Sequence, residues 1–307
     1  MSTEERNGVQ IDDSFAEAFP MKATRILITA HNATWARHAA QSATGLATSV
    51  IGCGCEAGIE RELAPTETPD GRPGLSVLLF AMSGKELAKQ VERRVGQCVL
   101  TCPTTAVYAG IAEGEAIALG KNLRFFGDGW QISKVIDGVR YWRVPVMDGE
   151  FVAQETTGVV KGVGGGNLLF LCTGTDSALA VAEAAVSAMQ ELPNVILPFP
   201  GGVVRSGSKV GSKYAALSAS TNDAFCPGLV GLTRKSELTP ETRCVMEIVI
   251  DGLSEADVGA AMREGMRAGI AIGRAGGLLR ISAGNYGGKL GPFHFHLHRL
   301  LQEEGGA

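Results

Sequence analysis

Residues 167–199, NLLFLCTGTDSALAVAEAAVSAMQELPNVILPF, place a helical pattern between two short apolar runs. The first run, 167–174, and the last, 194–199, have the length and apolar character of buried strands. Between them, from Asp176 to Gln190, one helical face carries apolar side chains, namely Leu179, Ala182, Val186 and Met189. The stretch therefore predicts one strand-helix-strand unit.

The same plan occurs four times along the chain. In the first half, TRILITA (24–30), a helix over 32–45 and ATSVIG (47–52) form one unit, and LSVLLFA (75–81), a helix over 83–96 and QCVL (97–100) form the next. In the second half, VMEIVID (245–251) leads through a helix to GLLRISAG (277–284). Capping boxes open two of these helices, at Ser83-x-x-Glu86 and Ser254-x-x-Asp257. Each half thus repeats β-α-β twice.

This repetition predicts an α/β (α+β) protein with two ferredoxin-like lobes, each a mixed, mostly antiparallel sheet with two helices. A doubly wound dinucleotide-binding fold would need a glycine fingerprint after its first strand, whereas GVVKGVGGGN (158–167) precedes a strand. Pro145 and Asp148-Gly149 interrupt the pattern within 143–152. We therefore predict an N-terminal, proximal lobe over 1–147 and a C-terminal, distal lobe over 148–307.

Composition narrows the class of protein. The 307 residues suit two domains of about 150 residues each. A net charge of −4 argues against nucleic acid as the partner. The sequence contains no run of about 18 apolar residues, which a membrane-spanning helix would need. The polar N-terminus lacks the features of a signal peptide. Seven scattered cysteines suit reduced thiols, so we expect a cytoplasmic protein that contacts no membrane.

The stretch PFHFHLHRLL (292–301) raises the question of a metal site, because it holds three of the five histidines. As a strand it would direct Phe293, Phe295 and Leu297 to a core and the histidines to the other face. His294 and His298 would then lie roughly 13 Å apart, too far for three histidines to share one ion. We predict no metal here and a terminal strand with polar histidines.

A second motif resembles a phosphate-binding loop without completing it. Gly202 to Lys209 has GxxxxG spacing but continues Ser-Lys instead of Lys-Ser or Lys-Thr, and no helical pattern follows. The surrounding segment 198–227 instead predicts a long irregular insertion, which compact domains seldom carry unless it binds something.

Several long motifs resemble one known family. They are FPGGVVRSGSKVGSKY (199–214), LSASTNDAFCP (217–227), CVMEIVIDGL (244–253), ISAGNYGGKLG (281–291), ATSVIG (47–52), TPDGRPG (68–74), VGQCVLTCPT (95–104) and LRFFGDGWQ (123–131). Together they resemble the formylmethanofuran:tetrahydromethanopterin formyltransferases, from about Gly8 to Leu301. The resemblance implies formyl transfer between methanofuran-type and tetrahydromethanopterin-type carriers, which are the substrates, with no tightly bound cofactor.

The same resemblance implies assembly and context. Family members form homotetramers of two-lobed α/β subunits in the one-carbon metabolism of methanogenic archaea and methylotrophic bacteria. In the latter they act in formaldehyde oxidation beside hydrolase subunits. The modest net charge and seven cysteines favour the bacterial form.

Glu247 is the candidate catalytic residue. By strand alternation it shares a face with Val245 and Val249, so an acidic side chain lies on an otherwise apolar surface. Desolvation there would raise its pKa and prepare it to exchange a proton near neutral pH. The alternative is a strand-end glutamate paired with a lysine or arginine.

The candidate substrate-binding residues lie in the glycine-rich loops of the second half: Ser206, Ser208, Lys209, Lys213, Thr221, Asn222, Asp223, Asn285 and Lys289. Asn222, Asp223 and Asn285 would donate hydrogen bonds to a substrate or orient it, although each residue could equally well stabilise a turn. The lysines could hold the carboxylates of a carrier's tail, or they could simply be solvated.

Three functions stay open at this point. The first is an enzyme that transfers a formyl group by direct acyl transfer through a tetrahedral intermediate, which needs no nucleophilic serine or cysteine. The second is a non-catalytic assembly subunit of a formyl-handling hydrolase complex. The third is a ligand-binding regulatory module, which would not need the long insertion. Glu247 and the intact STNDAFCP (220–227) favour the enzyme.

Overall fold

The structure, a computed structural model, describes residues 4–302. Its strands are β1 (Glu4–Arg6), β2 (Val9–Ile11), β3 (Phe15–Thr29), β4 (Glu56–Leu63), β5 (Gly74–Ala81), β6 (Ala106–Ala109), β7 (Glu115–Ala118), β8 (Ile132–Ile136), β9 (Val139–Val146), β10 (Gly149–Gln154), β11 (Thr156–Cys172), β12 (Val195–Ile196), β13 (Ser208–Val210), β14 (Ala219–Thr221), β15 (Cys244–Gly252), β16 (Leu278–Ser282) and β17 (Phe293–His296). Its α-helices are α1 (Ala33–Thr44), α2 (Val50–Cys53), α3 (Gly84–Arg94), α4 (Gly120–Leu123), α5 (Thr175–Gln190), α6 (Glu255–Ile272) and α7 (Leu297–Gln302).

The chain divides into two compact units. One, the continuous unit, comprises Met21–Gly162. The other, the split unit, joins residues 4–20 to residues 163–302 of the described chain. The predicted lobes 1–147 and 148–307 differ from these units. At the N-terminus the reason is that β2, besides pairing with β1, pairs in parallel with β16, about 270 residues further along the chain. A long-range parallel pairing of this kind leaves no local signal in the sequence.

In the continuous unit, β4, β5, β3 and β6 lie side by side in that order, and each neighbouring pair is antiparallel. The sheet continues through β10, β9 and β8, with β6 and β10 parallel. Helices α1 and α3 cover one face, where Ala39 and Leu87 join Ile26 and Val77 in one apolar core. Because successive side chains of a strand point to opposite faces, every second side chain of β3 and β5 points to the face away from these helices.

The split unit repeats this order with β12, β15, β11 and β16, again antiparallel throughout. Strand β2 then adds to β16 in parallel. Helices α5 and α6 cover one face through Val181 and Met262, which pack with the fully buried Phe170, Ile248 and Ile250. The opposite face stays free of these helices and carries the polar residues of the candidate site.

Two predicted strands of the first half are wrong. Residues 47–52 contain the start of helix α2, because the Ser49 side chain accepts from the Ile51 N–H and the left-handed Gly54 ends the turn, so the strand is β4. Residues 97–99 lie in a π-helical turn, Val95–Val99, which continues α3 and is capped by Leu100, and the next strand is β6. Val95 and Val99 are both fully buried while Gln97 between them is exposed, and because these three side chains would share one face of a strand, their burial favours a helical turn.

The predicted interruption within 143–152 is a hairpin inside the continuous unit. Val146 pairs with Gly149 as β9 turns into β10, and Gly149 has φ 128°. An Asp-Gly pair marks a hairpin turn as readily as a linker between domains. The Asp-Gly signal therefore predicts the turn correctly, and the division of the chain into two lobes at 147/148 stays a prediction.

The segment between β12 and β15 holds the predicted insertion. It contains the β13–β14 ribbon and several short 3₁₀ turns.

All seven cysteines are free, at Cys53, Cys55, Cys98, Cys102, Cys172, Cys226 and Cys244. Within residues 4–302, no helix has the length and apolar character needed to span a membrane.

Candidate active site

Glu247 lies on the sheet face of the split unit that the helices do not cover. Its strand β15 alternates, so that Ile248 and Ile250 enter the helix-side core while Glu247 points to the other face. Leu169 of β11 is the register partner of both Glu247 and Ser282. On its outer side, the Glu247 backbone exchanges hydrogen bonds of 2.7 and 2.9 Å with Val204 of the insertion. Backbone pairing on both sides therefore fixes where the carboxyl projects.

The carboxyl group of Glu247 is chemically unsatisfied. Within residues 4–302 it has neither a hydrogen-bond donor nor a cation as partner, and the residue is only partly exposed. Burial raises its pKa to about 7. Near neutral pH both the acid and the carboxylate are therefore populated, which is the condition for a general acid-base residue. The alternative of a glutamate paired with a lysine or arginine is wrong.

A cavity of about 740 Å³ opens on this face. Its wall contains Glu247 together with four of the predicted binding residues, which are Ser208, Lys209, Asn222 and Asn285. Ser208 and Lys209 come from β13, Asn222 follows β14, and Asn285 follows β16. The structure thus brings three separate motifs of the sequence to one acidic side chain.

The other predicted binding residues lie outside this wall. Asp223 forms an ion pair with Lys209 and accepts from Thr233 Oγ1 at 3.2 Å, and the Lys209 contact lowers its pKa. Ser206, Lys213 and Lys289 are exposed, and Thr221 contacts the Cys226 sulfur at 3.4 Å. Lys209 is therefore not a free cation, because Asp223 already balances its charge.

Several wall residues were missed from the sequence. Tyr286 lies beside the predicted Asn285, and the pKa of its phenol is raised first by burial and then by the charges of Glu247 and Glu17. Arg280 contributes a guanidinium group, held by Asp12 at 3.3 Å and by the Glu237 carbonyl at 3.0 Å. An unusual tyrosine in a glycine-rich loop could have drawn attention to Tyr286. No local pattern marks Arg280, because Asp12 precedes it by more than 260 residues.

Two of the histidines in PFHFHLHRLL pack against the ring of Phe15. Its ring also lines the cavity and lies 4.8 Å from the ring of His294 and 5.1 Å from that of His296, centroid to centroid. His298 Nε2 contacts the Ile11 carbonyl at 3.0 Å. The described part of the chain holds no group of three or more His, Cys, Asp or Glu side chains arranged for a metal ion.

The predicted strand over 292–301 is correct only in its first half. Strand β17 ends at His296 and helix α7 begins at Leu297. Phe295 and Leu297 are buried as predicted, whereas Phe293 is half-buried. Leu297, Leu300 and Leu301 have helical spacing, and their burial in the core of the split unit explains the change from strand to helix.

These features define an α/β protein with a carboxyl group of raised pKa in a polar cavity on the sheet face away from the helices. The chain belongs to the formylmethanofuran-tetrahydromethanopterin formyltransferase family, whose model matches residues 4–146. A companion model, described as the proximal lobe, matches residues 149–300. The two models meet near the predicted 147/148 boundary, but the labels predicted for the lobes are reversed, since the proximal lobe is the C-terminal one.

Relatives with assigned names resemble the chain over nearly its whole length. It is 70% identical over 295 residues to the formylmethanofuran--tetrahydromethanopterin formyltransferase of Methylococcus capsulatus, covering 96% of this chain and 99% of that one. It is 52% identical over 303 residues to a component of the formyltransferase/hydrolase complex of Methylorubrum extorquens, covering 97% of each.

Two solved structures share the fold. The formyltransferase/hydrolase complex of Methylorubrum extorquens with methylofuran matches with a TM-score of 0.96 at 50% identity, over 99% of this chain and 100% of that one. The Methanosarcina barkeri formyltransferase matches with a TM-score of 0.92 at 47% identity, over 97% and 100%. The mixed α/β architecture predicted from the sequence is confirmed.

Proposed function

We propose that this protein transfers a formyl group between a methanofuran-type amine and tetrahydromethanopterin in one-carbon metabolism. Its family and its relatives carry this activity in their names. The observation that supports an active enzyme is the unpaired carboxyl of Glu247, whose pKa of about 7 lies where the reaction needs it. A subunit kept only for assembly would have no reason to retain an uncompensated buried acid, which destabilises the fold.

The reaction requires three tasks. The attacking nitrogen loses a proton, the formyl carbon becomes tetrahedral with an oxyanion, and the leaving amine gains a proton. We assign both proton transfers to Glu247, first as base and then as acid, because its pKa lets it act in both directions near pH 7. Direct transfer between two bound carriers needs no covalent acyl-enzyme.

The oxyanion requires hydrogen-bond donors on the same wall. Asn222 and Asn285 offer side-chain amides, Tyr286 offers a phenol that stays protonated, and Arg280 offers a fixed guanidinium. Donors held in place before the reaction stabilise developing charge without reorganisation. These four residues are our candidates for that role.

We also propose that the loops of the insertion bind the acidic tails of the carriers. Ser208, Lys209 and Asn222 line the cavity, while Ser206, Lys213, Thr221 and Lys289 would extend the contact outside it, and Asp223 orients Lys209. Because Lys209 is already paired, a carboxylate of the substrate would have to replace Asp223 or share the lysine with it.

Further parts of the proposal concern assembly and surroundings. We propose that the protein uses no tightly bound cofactor, forms a homotetramer and acts in the cytoplasm with hydrolase subunits. Support for partner subunits comes from the Methylorubrum extorquens relative, whose name places it in a formyltransferase/hydrolase complex. Support for a reducing compartment comes from the seven free cysteines.

Both units fit a ferredoxin-like description, which we likewise propose. In each, a β-α-β-β-α-β run gives a sheet whose strands, numbered within the run, follow the order 2-3-1-4 with all neighbours antiparallel. This strand order supports the ferredoxin-like proposal for both units.

The test is formyl exchange with purified protein, measured between formyl-tetrahydromethanopterin and a methanofuran-type amine by the absorbance or chromatography of the carriers. We expect turnover without added metal or cofactor. A folded protein that binds hydrolase subunits but exchanges no formyl group would favour the non-catalytic assembly subunit instead.

A further inference from the structure

The loop over residues 284–291 forms one side of the cavity. Gly284, Asn285 and Tyr286 line it, and the chain then turns back through Gly287 and Gly288, whose φ angles are 81° and 69°. A loop with two left-handed glycines has little conformational preference of its own. Something outside the loop must therefore hold Asn285 and Tyr286 where the cavity needs them.

Glu17 of β3 provides that constraint. The residue is 0% exposed, and both of its carboxylate oxygens accept backbone N–H groups of the loop. Oε2 accepts from Tyr286 at 2.8 Å and from Gly288 at 2.9 Å, and Oε1 accepts from Leu290 at 2.5 Å and from Gly291 at 2.6 Å. One buried side chain thus satisfies four amides of a segment that lacks regular structure.

Gly291, at the end of the loop, allows the loop to approach β3 closely. A Cβ atom added to Gly291 would lie 2.2 Å from the Ala18 carbonyl oxygen, so only glycine lets the loop pass this near to β3. Within residues 4–302 no lysine or arginine pairs with Glu17, and the four amides are its hydrogen-bond partners. Burial by itself would raise the pKa of this carboxyl, but the amide dipoles outweigh it and hold the pKa below its usual range.

We propose that Glu17 is a positioning residue for the formyl transfer, holding the loop 284–291 so that Asn285 and Tyr286 face Glu247. The inference rests on the proposed function. Glu17 does not line the cavity, and it acts through the loop backbone. A merely structural glutamate would stabilise the fold without affecting turnover of the folded enzyme.

The main test is Glu17→Gln. Whichever way the new amide is oriented, its NH₂ group faces two loop N–H donors, so two of the four hydrogen bonds are lost while the volume is kept. We expect kcat of the folded variant to fall by about 10²-fold, the loss that follows when a catalytic group is misplaced by about 1 Å. Glu17→Asp keeps the charge and should recover part of kcat.

The matched control is Glu60→Gln in the continuous unit. Glu60 is also buried and on a strand, but it accepts hydrogen bonds from the side chains of Arg25 and Ser76. We expect this variant to lose stability and to keep the kcat of its folded fraction. Equal loss of kcat in both variants, or normal kcat in Glu17→Gln, would overturn the positioning role.

Hydrogen exchange tests the same idea by a measurement that does not depend on turnover. The amides of Gly288, Leu290 and Gly291 should exchange slowly, at rates typical of strand amides, although Lys289 and Leu290 are exposed. In Glu17→Gln they should exchange at least tenfold faster while β5 amides stay unchanged. Fast exchange in the wild type would refute the inference, whereas protected amides in a protein without formyl exchange would refute only the proposed function.

Discussion

Glu60 in the continuous unit and Glu247 in the split unit both lie on the sheet face away from the helices, yet their surroundings differ. Glu60 accepts from Arg25 at 2.6 and 2.7 Å and from Ser76 at 2.6 Å. Glu247 has no such partner among residues 4–302, and its pKa is raised to about 7. The two sheets share a strand order, so the difference comes from the side chains opposite each acid.

The contrast separates a structural acid from a reactive one. A paired carboxylate keeps its charge and ties neighbouring strands together, whereas an unpaired one in a partly desolvated place can change charge near neutral pH. In the split unit, the insertion and the loop 284–291 form a cavity around the unpaired acid. Substitutions at the two glutamates and their neighbours can therefore test whether the two acids differ in role.

The largest effect is expected for Glu247→Gln. The amide keeps the shape of the side chain but cannot carry the proton, so turnover should fall by about 10² to 10⁴ with little change in KM. Steady-state kinetics on both carriers measures this, with Glu60→Gln as the matched substitution in the other unit. Near-normal turnover in Glu247→Gln would end the catalytic assignment.

Glu60→Gln should have the opposite profile. The substitution breaks the buried ion pair between Glu60 and the Arg25 guanidinium, which is 19% exposed, and the free energy of unfolding should fall by about 3–5 kcal/mol. Urea unfolding followed by circular dichroism measures the change. Ser76→Ala, which removes one neutral donor, should lower the stability less, and an equal loss in the two variants would show that the ion pair is not the main contribution.

The third prediction concerns the pH dependence of stability. The folded-state pKa of Glu247 is raised above its unfolded value, so its contribution is fully present at low pH and is lost as pH rises from about 4.5 to about 7. Relative to the wild type, Glu247→Gln should therefore gain stability across this range, by at most about 3 kcal/mol above pH 7.

Unfolding curves of both proteins at pH 5, 6, 7 and 8, about one unit apart across the transition, measure this difference. A constant difference at all pH values would mean that Glu247 titrates at its ordinary pKa. It would also remove the physical basis for its two-way proton transfer.

The smallest effect is expected at Lys209. If the lysine meets an acidic carrier tail, Lys209→Ala should raise KM about two- to fivefold, the range typical of an exposed ion pair, with kcat nearly unchanged. Asp223→Asn frees the lysine and should lower KM or leave it unchanged. The same rise of KM in both variants would mean that the pair only holds β13 beside the loop that follows β14.

Much of the fold could be predicted from the sequence because its signals are local. The capping serines Ser83 and Ser254 and the apolar faces of α5 and α6 define helices without reference to the rest of the chain. The short stretches at 47–52 and 97–100 were mistaken for strands: the Ser49 cap and the left-handed Gly54 form a helical turn in the first, and burial of Val95 and Val99 in the core accompanies the helical turn at the second.

The candidate site was predictable only where a local pattern exposed it. An acid among apolar residues of a strand identified Glu247, and glycine-rich loops identified Asn222 and Asn285. Phe15, Arg280 and Glu17 were missed because each acts through partners more than 200 residues away in the chain.

The sequence by itself determined the first strand and the helix of each of the four units, the face of β15 on which Glu247 lies and the family to which the chain belongs. Periodicity and helix caps act over a few residues and therefore survive in the sequence. Only the tertiary structure decided that Glu247 has no partner within residues 4–302 while Glu60 accepts from Arg25 and Ser76, and that Glu17 accepts from the loop amide of Tyr286. Desolvation and hydrogen-bond pairing depend on which distant segments meet, and that is settled by packing of the whole unit.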